Sequence, residues 1–169
     1  MKLSYTLGFV GFIVVLLVLM AWAAPNKPAA TATTGTTTAT QNTTTLTAAE
    51  TLYDFGTISM KNGLVARSFK ITNPTASDIE LKTVVTSCMC TKAYLEGGDT
   101  TKGPFGMPGM GSVPPANELI RAGESRDIKV IYDPNAHGPA GVGVIDRFVT
   151  LTDAAGGTLE LEIKAVVTP

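Results

Sequence analysis

Thr158-Leu159-Glu160-Leu161-Glu162-Ile163-Lys164-Ala165-Val166-Val167-Thr168 decides the fold. Leu159, Leu161, Ile163, Ala165 and Val167 recur at every second position, with Glu160, Glu162 and Lys164 between them. Successive side chains of a strand point to opposite faces, so this segment has one dry face and one wet face, as antiparallel sheets do. The preceding Asp153-Ala154-Ala155-Gly156-Gly157 is a hairpin turn of the kind glycine permits.

Working back toward the N-terminus, the same pattern recurs between turn signals. Val144–Asp153 is a strand, preceded by a loop over Pro134–Gly143. Within Ser125–Asp133, Ile128, Val130 and Tyr132 alternate with Lys129, Ile131 and Asp133. Ala122-Gly123-Glu124 turns the chain after a short strand over Glu118–Arg121. Ile79–Thr91 reads as one strand, with Ile79, Leu81 and Val85 on one side. Leu64–Asn73 places Val65, Phe69 and Ile71 on a face that also carries Arg67. Thr51–Ile58 opens the series. No stretch after residue 49 has helical periodicity. The expectation for residues 49–169 is an all-β, immunoglobulin-like antiparallel β-sandwich of about seven or eight strands. The Cys…Trp…Cys spacing of antibody domains is missing, so only the architecture is implied.

Two different segments precede this domain. Leu7–Ala24 is a run of 18 residues without charge, with Lys2 on its N-terminal side. As a helix it would rise about 27 Å, close to the hydrocarbon thickness of a bilayer. Residues 1–24 are therefore a signal anchor; Ala21-Trp22-Ala23 also fits a cleavage site, which would make them a signal peptide. Either way the rest of the chain is translocated. It is then held at the cell membrane by a single span, or secreted or periplasmic after cleavage. Residues 25–48 are rich in threonine, with Lys27 as their only charge and Leu46 as their only large apolar residue. Such a segment buries too little surface to offset its ordering entropy, so it is expected to be a disordered linker spanning roughly 27 Å.

All 14 acidic residues lie from Glu50 onward, with most of the 13 basic ones, and the net charge is −1. Without clustered Lys and Arg, a nucleic-acid partner is not expected. The chain has one histidine, and no nucleophile elbow, phosphate loop or dinucleotide fingerprint. An enzyme is not expected.

Several phrases occur in a telling order: Tyr53-Asp54-Phe55-Gly56-Thr57-Ile58, Phe69-Lys70-Ile71-Thr72-Asn73, Thr86-Ser87-Cys88-Met89-Cys90-Thr91, then Ala122-Gly123-Glu124 before Ile128-Lys129-Val130-Ile131-Tyr132-Asp133. From about Leu52 to Thr168 the chain resembles the bacterial domain of unknown function family 1573, related in fold to Hydin-like and major-sperm-protein-like immunoglobulin domains. The resemblance implies that fold and an exported location, and no biochemical activity. Met89 stands where the family has glycine, and a long insert follows the cysteines.

Cys88 and Cys90 are the chemically pointed pair. On a strand their Cα atoms would lie roughly 6.6 Å apart on one side, near the upper limit for a disulfide. Three readings stand side by side: two small apolar side chains packed near a strand end, a strained and easily reduced disulfide, or a soft-metal site. Counting alternately from Ile79 places Met89 inward and both cysteines outward, unless a bulge intervenes. The insert Gly97–Asn117 has no periodicity of its own and carries Met107 and Met110. Thiolates and thioethers select Cu(I), so Cys88, Cys90, Met107, Met110 and His137 form a candidate copper site if the insert folds back. Against that, Phe105, Met107 and Met110 would simply cap an open end of the sandwich, and His137 would be an exposed loop residue.

Together these features predict a non-catalytic, membrane-tethered interaction module outside the cytoplasm. Its partner would be a protein or an envelope polymer, met through loops or by strand addition to a sheet edge. The alternative is a copper-handling or thiol-redox protein using Cys88 and Cys90.

Overall fold

The computed structural model describes residues 44–169. The apolar segment Leu7–Ala24 and the linker up to residue 43 lie outside the described residues. Among the described residues, no helix is long and apolar enough to cross a membrane.

The chain runs through β1 (Thr47–Ala48), β2 (Leu52–Ser59), β3 (Val65–Thr72), β4 (Ile79–Thr86), β5 (Thr91–Glu96), β6 (Lys102–Phe105), β7 (Glu118–Ile120), β8 (Ser125–Tyr132), β9 (Gly143–Asp153) and β10 (Thr158–Thr168). Short 3₁₀ turns lie at Met60–Asn62 and Gly138–Gly141. The strands form two five-stranded sheets, ordered β1-β3-β8-β5-β6 and β2-β10-β9-β4-β7. Phe69, Ile71, Leu95, Phe105, Ile128, Val130 and Tyr132 of the first sheet share one buried core with Leu81, Val84, Ile120, Val149, Leu151, Leu161, Ile163 and Val167 of the second. Two packed layers of this size are the architecture of immunoglobulin-like domains.

The all-β reading holds, with ten strands instead of seven or eight. The sandwich is also not purely antiparallel, because β2 runs parallel to β10. Parallel neighbours need a long crossover. Here almost the whole domain is that connection, since β2 lies near its start and β10 at its end.

Three strands were hidden in the sequence. The first, β1, falls in the threonine-rich segment. Thr47 and Ala48 pair with Thr72 and Ile71, and Leu46 is buried. Residues 44–48 therefore belong to the sandwich, and the linker ends before Thr44. Asp153 fixes the entry point by accepting from the Thr44 hydroxyl and from the Ala155 and Gly157 N–H groups. A Cβ on Gly157 would lie 2.6 Å from the Thr44 Cα, so this close approach needs glycine.

The second is β5. The strand expected over Ile79–Thr91 ends at Thr86. Residues 87–90 then form a turn that carries the chain to the other sheet, where β5 pairs with β8. A bulge also lies inside β4. Its register with β9 shifts between Leu81 and Thr83, leaving Lys82 and Thr83 exposed and moving the inward positions to Val84 and Thr86. Val85 is only half-buried, contrary to the simple alternation. The Lys82 carbonyl at the bulge accepts from the N–H groups of Ala116 and Asn117.

The third is β6, inside the insert expected to lack structure. It pairs with β5, Ala93 opposite Phe105, and Phe105 is fully buried. Pro104 is tolerated because β6 is an edge strand. The insert's far end is held by Lys102, whose ammonium donates to the Ala116 and Asn117 carbonyls and pairs with Glu118 at 2.7 Å. Glu118 also accepts from Arg126 at 2.7 Å. Burial by itself raises the Glu118 carboxyl, but the hydrogen bonds and charges of Lys102 and Arg126 outweigh it and hold the group below the ordinary glutamate value.

Arg67, the misfit in β3, stacks its guanidinium 4.2 Å from the centre of the Tyr53 ring and pairs with Glu50. These contacts serve the outer part of the guanidinium, while its Nε is buried without a hydrogen-bond partner.

Candidate thiol and soft-metal site

The turn Ser87–Cys90 is fastened on three sides. The Thr86 N–H donates to the Gly106 carbonyl, tying the turn to the insert. Ser87 donates its N–H to the Phe148 carbonyl and accepts the Phe148 N–H on its hydroxyl, tying it to β9. The Cys90 carbonyl accepts from the Asp133 N–H at the end of β8. Because the backbone turns here, the Cα atoms of Cys88 and Cys90 come within 5.2 Å, closer than on a strand, and the two sulfurs are bonded.

The turn also overrides the parity count. Cys90 is buried, Cys88 is half-buried, and Met89, expected inward, is 42% exposed. The reading of both cysteines as outward-facing fails for Cys90.

His137 reaches the pair from the loop between β8 and β9. Its Nε2 lies 3.2 Å from the Cys88 sulfur. The two sulfurs and an imidazole nitrogen all lie within 4.8 Å of one another. The loop is braced to hold it there: Asn135 donates from its side chain to the Met60 carbonyl and from its N–H to Asp133. Gly141 packs behind it, where a Cβ would sit a tight 3.2 Å from the Pro134 carbonyl oxygen. His137 is exposed as expected of a loop residue, yet in contact with Cys88.

The insert folds back over this corner. Met107 and Met110, linked by the Met110 N–H donating to the Met107 carbonyl, border a cleft of about 570 Å³ together with Met89 and Phe148. Cys88, His137, Asp146 and Arg147 line the same cleft. Of the five candidate residues, Cys88, His137, Met107 and Met110 surround one cavity, and Cys90 lies beneath it. Phe105 is fully buried and Met107 half-buried, as a cap would be, whereas Met110 is 55% exposed and does not fit the capping reading.

Arg147 and Met89 were missed. Arg147 donates from Nε to the Cys90 sulfur at 3.3 Å and from Nη1 to the Asp146 carbonyl. Its charge also lowers the Tyr132 hydroxyl slightly against the larger upward effect of burial. The signal was in the sequence: Arg147 has the same parity as Ile145, Val149 and Leu151, so an arginine sits on the dry face of β9. Met89 was obscured by the turn.

No protein-family model matches this chain, and no curated protein matches it. Among solved structures it is similar to a protein of unknown function from Porphyromonas gingivalis W83, at 19% identity over 83% of this chain and 51% of that one, with a TM-score of 0.53. The chain thus spans about half the length of that protein. Weaker likenesses are to PapD-like domain 7 of human CEP192, at 12% identity over 75% of this chain and 87% of that one (TM-score 0.46), and to the CooA pilin subunit of enterotoxigenic Escherichia coli, at 10% identity over 75% and 100% (TM-score 0.39). At such identities the likeness speaks to fold alone. What the chain's own geometry establishes is a two-sheet β-sandwich with a disulfide, imidazole and thioether cluster at one corner.

Proposed function

We propose that this domain is a Cu(I)-binding module working outside the cytoplasmic membrane, to which residues 1–24 tether or direct it. The carrying observation is the convergence of two cysteine sulfurs and the His137 imidazole within 4.8 Å, beside a cleft bordered by Met89, Met107 and Met110. Sulfur-rich donors suit Cu(I), whereas carboxylate-rich sites suit harder ions. A cysteine sulfur binds as the thiolate, so the Cys88–Cys90 bond must be reduced first. Cys88, Cys90 and His137 would supply the ligands, and the methionines would shield the ion or complete its shell. The domain is read as a binding protein, not an enzyme.

The test is metal retention by full-length, phosphine-reduced protein against a Cu(I) chelator. Wild type should keep one copper per chain. Cys88→Ser/Cys90→Ser should keep none, and Met107→Leu/Met110→Leu should bind about tenfold or more weakly. Retention of Cu(I) by the double-serine variant equal to wild type overturns the reading, as does a reduced wild type that takes Zn(II) in preference to Cu(I).

A second reading, the interaction module, is favoured by the outer face of the β2-β10-β9-β4-β7 sheet. Val144, 83% exposed, pairs there with Val166, and Val142 is also exposed nearby. Exposed apolar side chains grouped in this way suit contact with a protein. Val144→Glu/Val166→Lys, which places opposite charges across the pair, should leave the unfolding free energy within about 0.5 kcal/mol of wild type while releasing a co-purifying protein. Unchanged co-purification would count against that face.

A further inference from the structure

We infer that the Cys88–Cys90 disulfide is opened from the cleft by an external thiol that attacks Cys88, with Cys90 departing as a thiolate held by Arg147. This deepens the copper reading, because it describes how the dithiol that would hold Cu(I) is formed.

The two sulfurs are not equivalent. Cys88 lines the cleft and faces His137, whereas Cys90 is 2% exposed and does not line it. Thiol–disulfide exchange depends on which sulfur an incoming thiolate can reach and on how well the other leaves. Access selects Cys88. Both sulfurs accept an N–H at 3.3 Å, Cys88 from the neutral Cys90 backbone and Cys90 from the Arg147 guanidinium, so leaving-group stabilisation selects Cys90, whose donor is charged. Among the described residues, Arg147 forms no ion pair with a carboxylate; its other acceptor is the neutral Asp146 carbonyl. A half-buried guanidinium without a carboxylate is therefore directed at a sulfur that would become negative on reduction. Charge-assisted hydrogen bonds of this type are about twice as strong as neutral ones.

The fold tolerates the change. A disulfide that closes so short a loop removes little entropy from the unfolded chain, so opening it costs little stability. The turn's ties to Gly106, Phe148 and Asp133 involve no sulfur, so opening the disulfide breaks none of them directly.

In the first step, an external thiolate forms a bond to the Cys88 sulfur, the Cys88–Cys90 bond breaks, and its electron pair passes to Cys90. A second external thiolate then attacks the outer sulfur of the mixed disulfide, releasing Cys88 as a thiolate and leaving the two external thiols joined as a disulfide. Two electrons have moved from the external thiols to the protein. The apolar wall of Met107, Met110 and Phe148 suits a thiol with an apolar surround, and two sources share that chemistry: a small-molecule thiol or a cysteine in an extended peptide.

The experiment uses full-length, metal-free protein, so its outcome is independent of whether copper binds. Cys90→Ser, which leaves Cys88, should form a mixed disulfide with glutathione disulfide at least about tenfold faster than Cys88→Ser. Equal rates, or faster reaction at Cys90, overturn the assignment. In the oxidised wild type, reduction by glutathione should trap the adduct on Cys88 by mass spectrometry. Arg147→Met should slow that reduction about tenfold, Arg147→Lys should restore part of it, and phosphine-reduced Arg147→Met should keep the wild-type unfolding midpoint. An unchanged rate in Arg147→Met overturns the role of Arg147. A cysteine peptide with flanking leucines reacting faster than glutathione identifies a protein source; the reverse identifies a small thiol.

Discussion

Phe105→Ala is expected to lower the unfolding free energy by about 3–5 kcal/mol, the usual loss for a fully buried phenylalanine. That is a large share of the roughly 5–15 kcal/mol that holds a domain of ordinary stability together. Phe105 is fully buried, pairs with Ala93 across β5 and β6, and is the large apolar side chain of β6. Its loss leaves a cavity against Leu95 and its neighbours, and the backbone cannot collapse into that space without abandoning the β5–β6 pairing. The effect should reach the cleft, because the Gly106 carbonyl accepts from Thr86 and Met107 lies two residues on. Urea unfolding followed by fluorescence measures the first effect, and proteolysis within Gly106–Asn117 measures the second. A loss under about 1 kcal/mol would mean that β6 is not packed as described.

Glu118→Ala should cost about 3 kcal/mol, the lower end of the range for removing one member of a buried ion cluster. Glu118 is only 8% exposed and bridges Lys102 and Arg126. Arg126 keeps Glu124 at 3.1 Å, and the Lys102 side chain is 32% exposed, so neither cation is left wholly unpaired in a dry site. The pH dependence has a definite sign. The Glu118 carboxyl is held below its ordinary value, so the unfolded chain takes up its proton first as the pH falls. The contribution is complete above about pH 5 and disappears as the pH drops through the lowered value. Glu118→Gln mimics the protonated state. The gap in unfolding free energy between wild type and Glu118→Gln should therefore narrow steadily from about pH 5 to about pH 2. A gap that stays constant over that window would show that the carboxylate charge contributes nothing.

How far the sequence could be read depended on whether a feature is local. The dry faces of β8 and β10 were legible from Ile128, Val130 and Tyr132 and from Leu161, Ile163 and Val167, because a strand repeats every two residues whatever surrounds it. Leu46 was not recognised as core, since one leucine among threonines has no period. Val84 was missed because the bulge after Leu81 shifts every later position by one, and parity is preserved only along an unbroken ladder. The members of the cleft were legible as chemical types: Cys, Met and His are few, and soft donors attract notice. Arg147 was visible as a charge on a dry face, as Arg67 was, and its sulfur partner was not.

By itself, then, the order of residues determined a sheet-forming domain behind an apolar N-terminal run and a threonine-rich stretch, and it named the soft donors. The tertiary structure alone decided that β2 lies parallel to β10, that the insert contributes an edge strand, and that the two cysteines differ. Alternation is written into neighbouring residues by sterics. Cys88 and His137, in contrast, are 49 positions apart, and only the packing of a turn, an insert and a loop at one corner brings a sulfur within 3.2 Å of an imidazole.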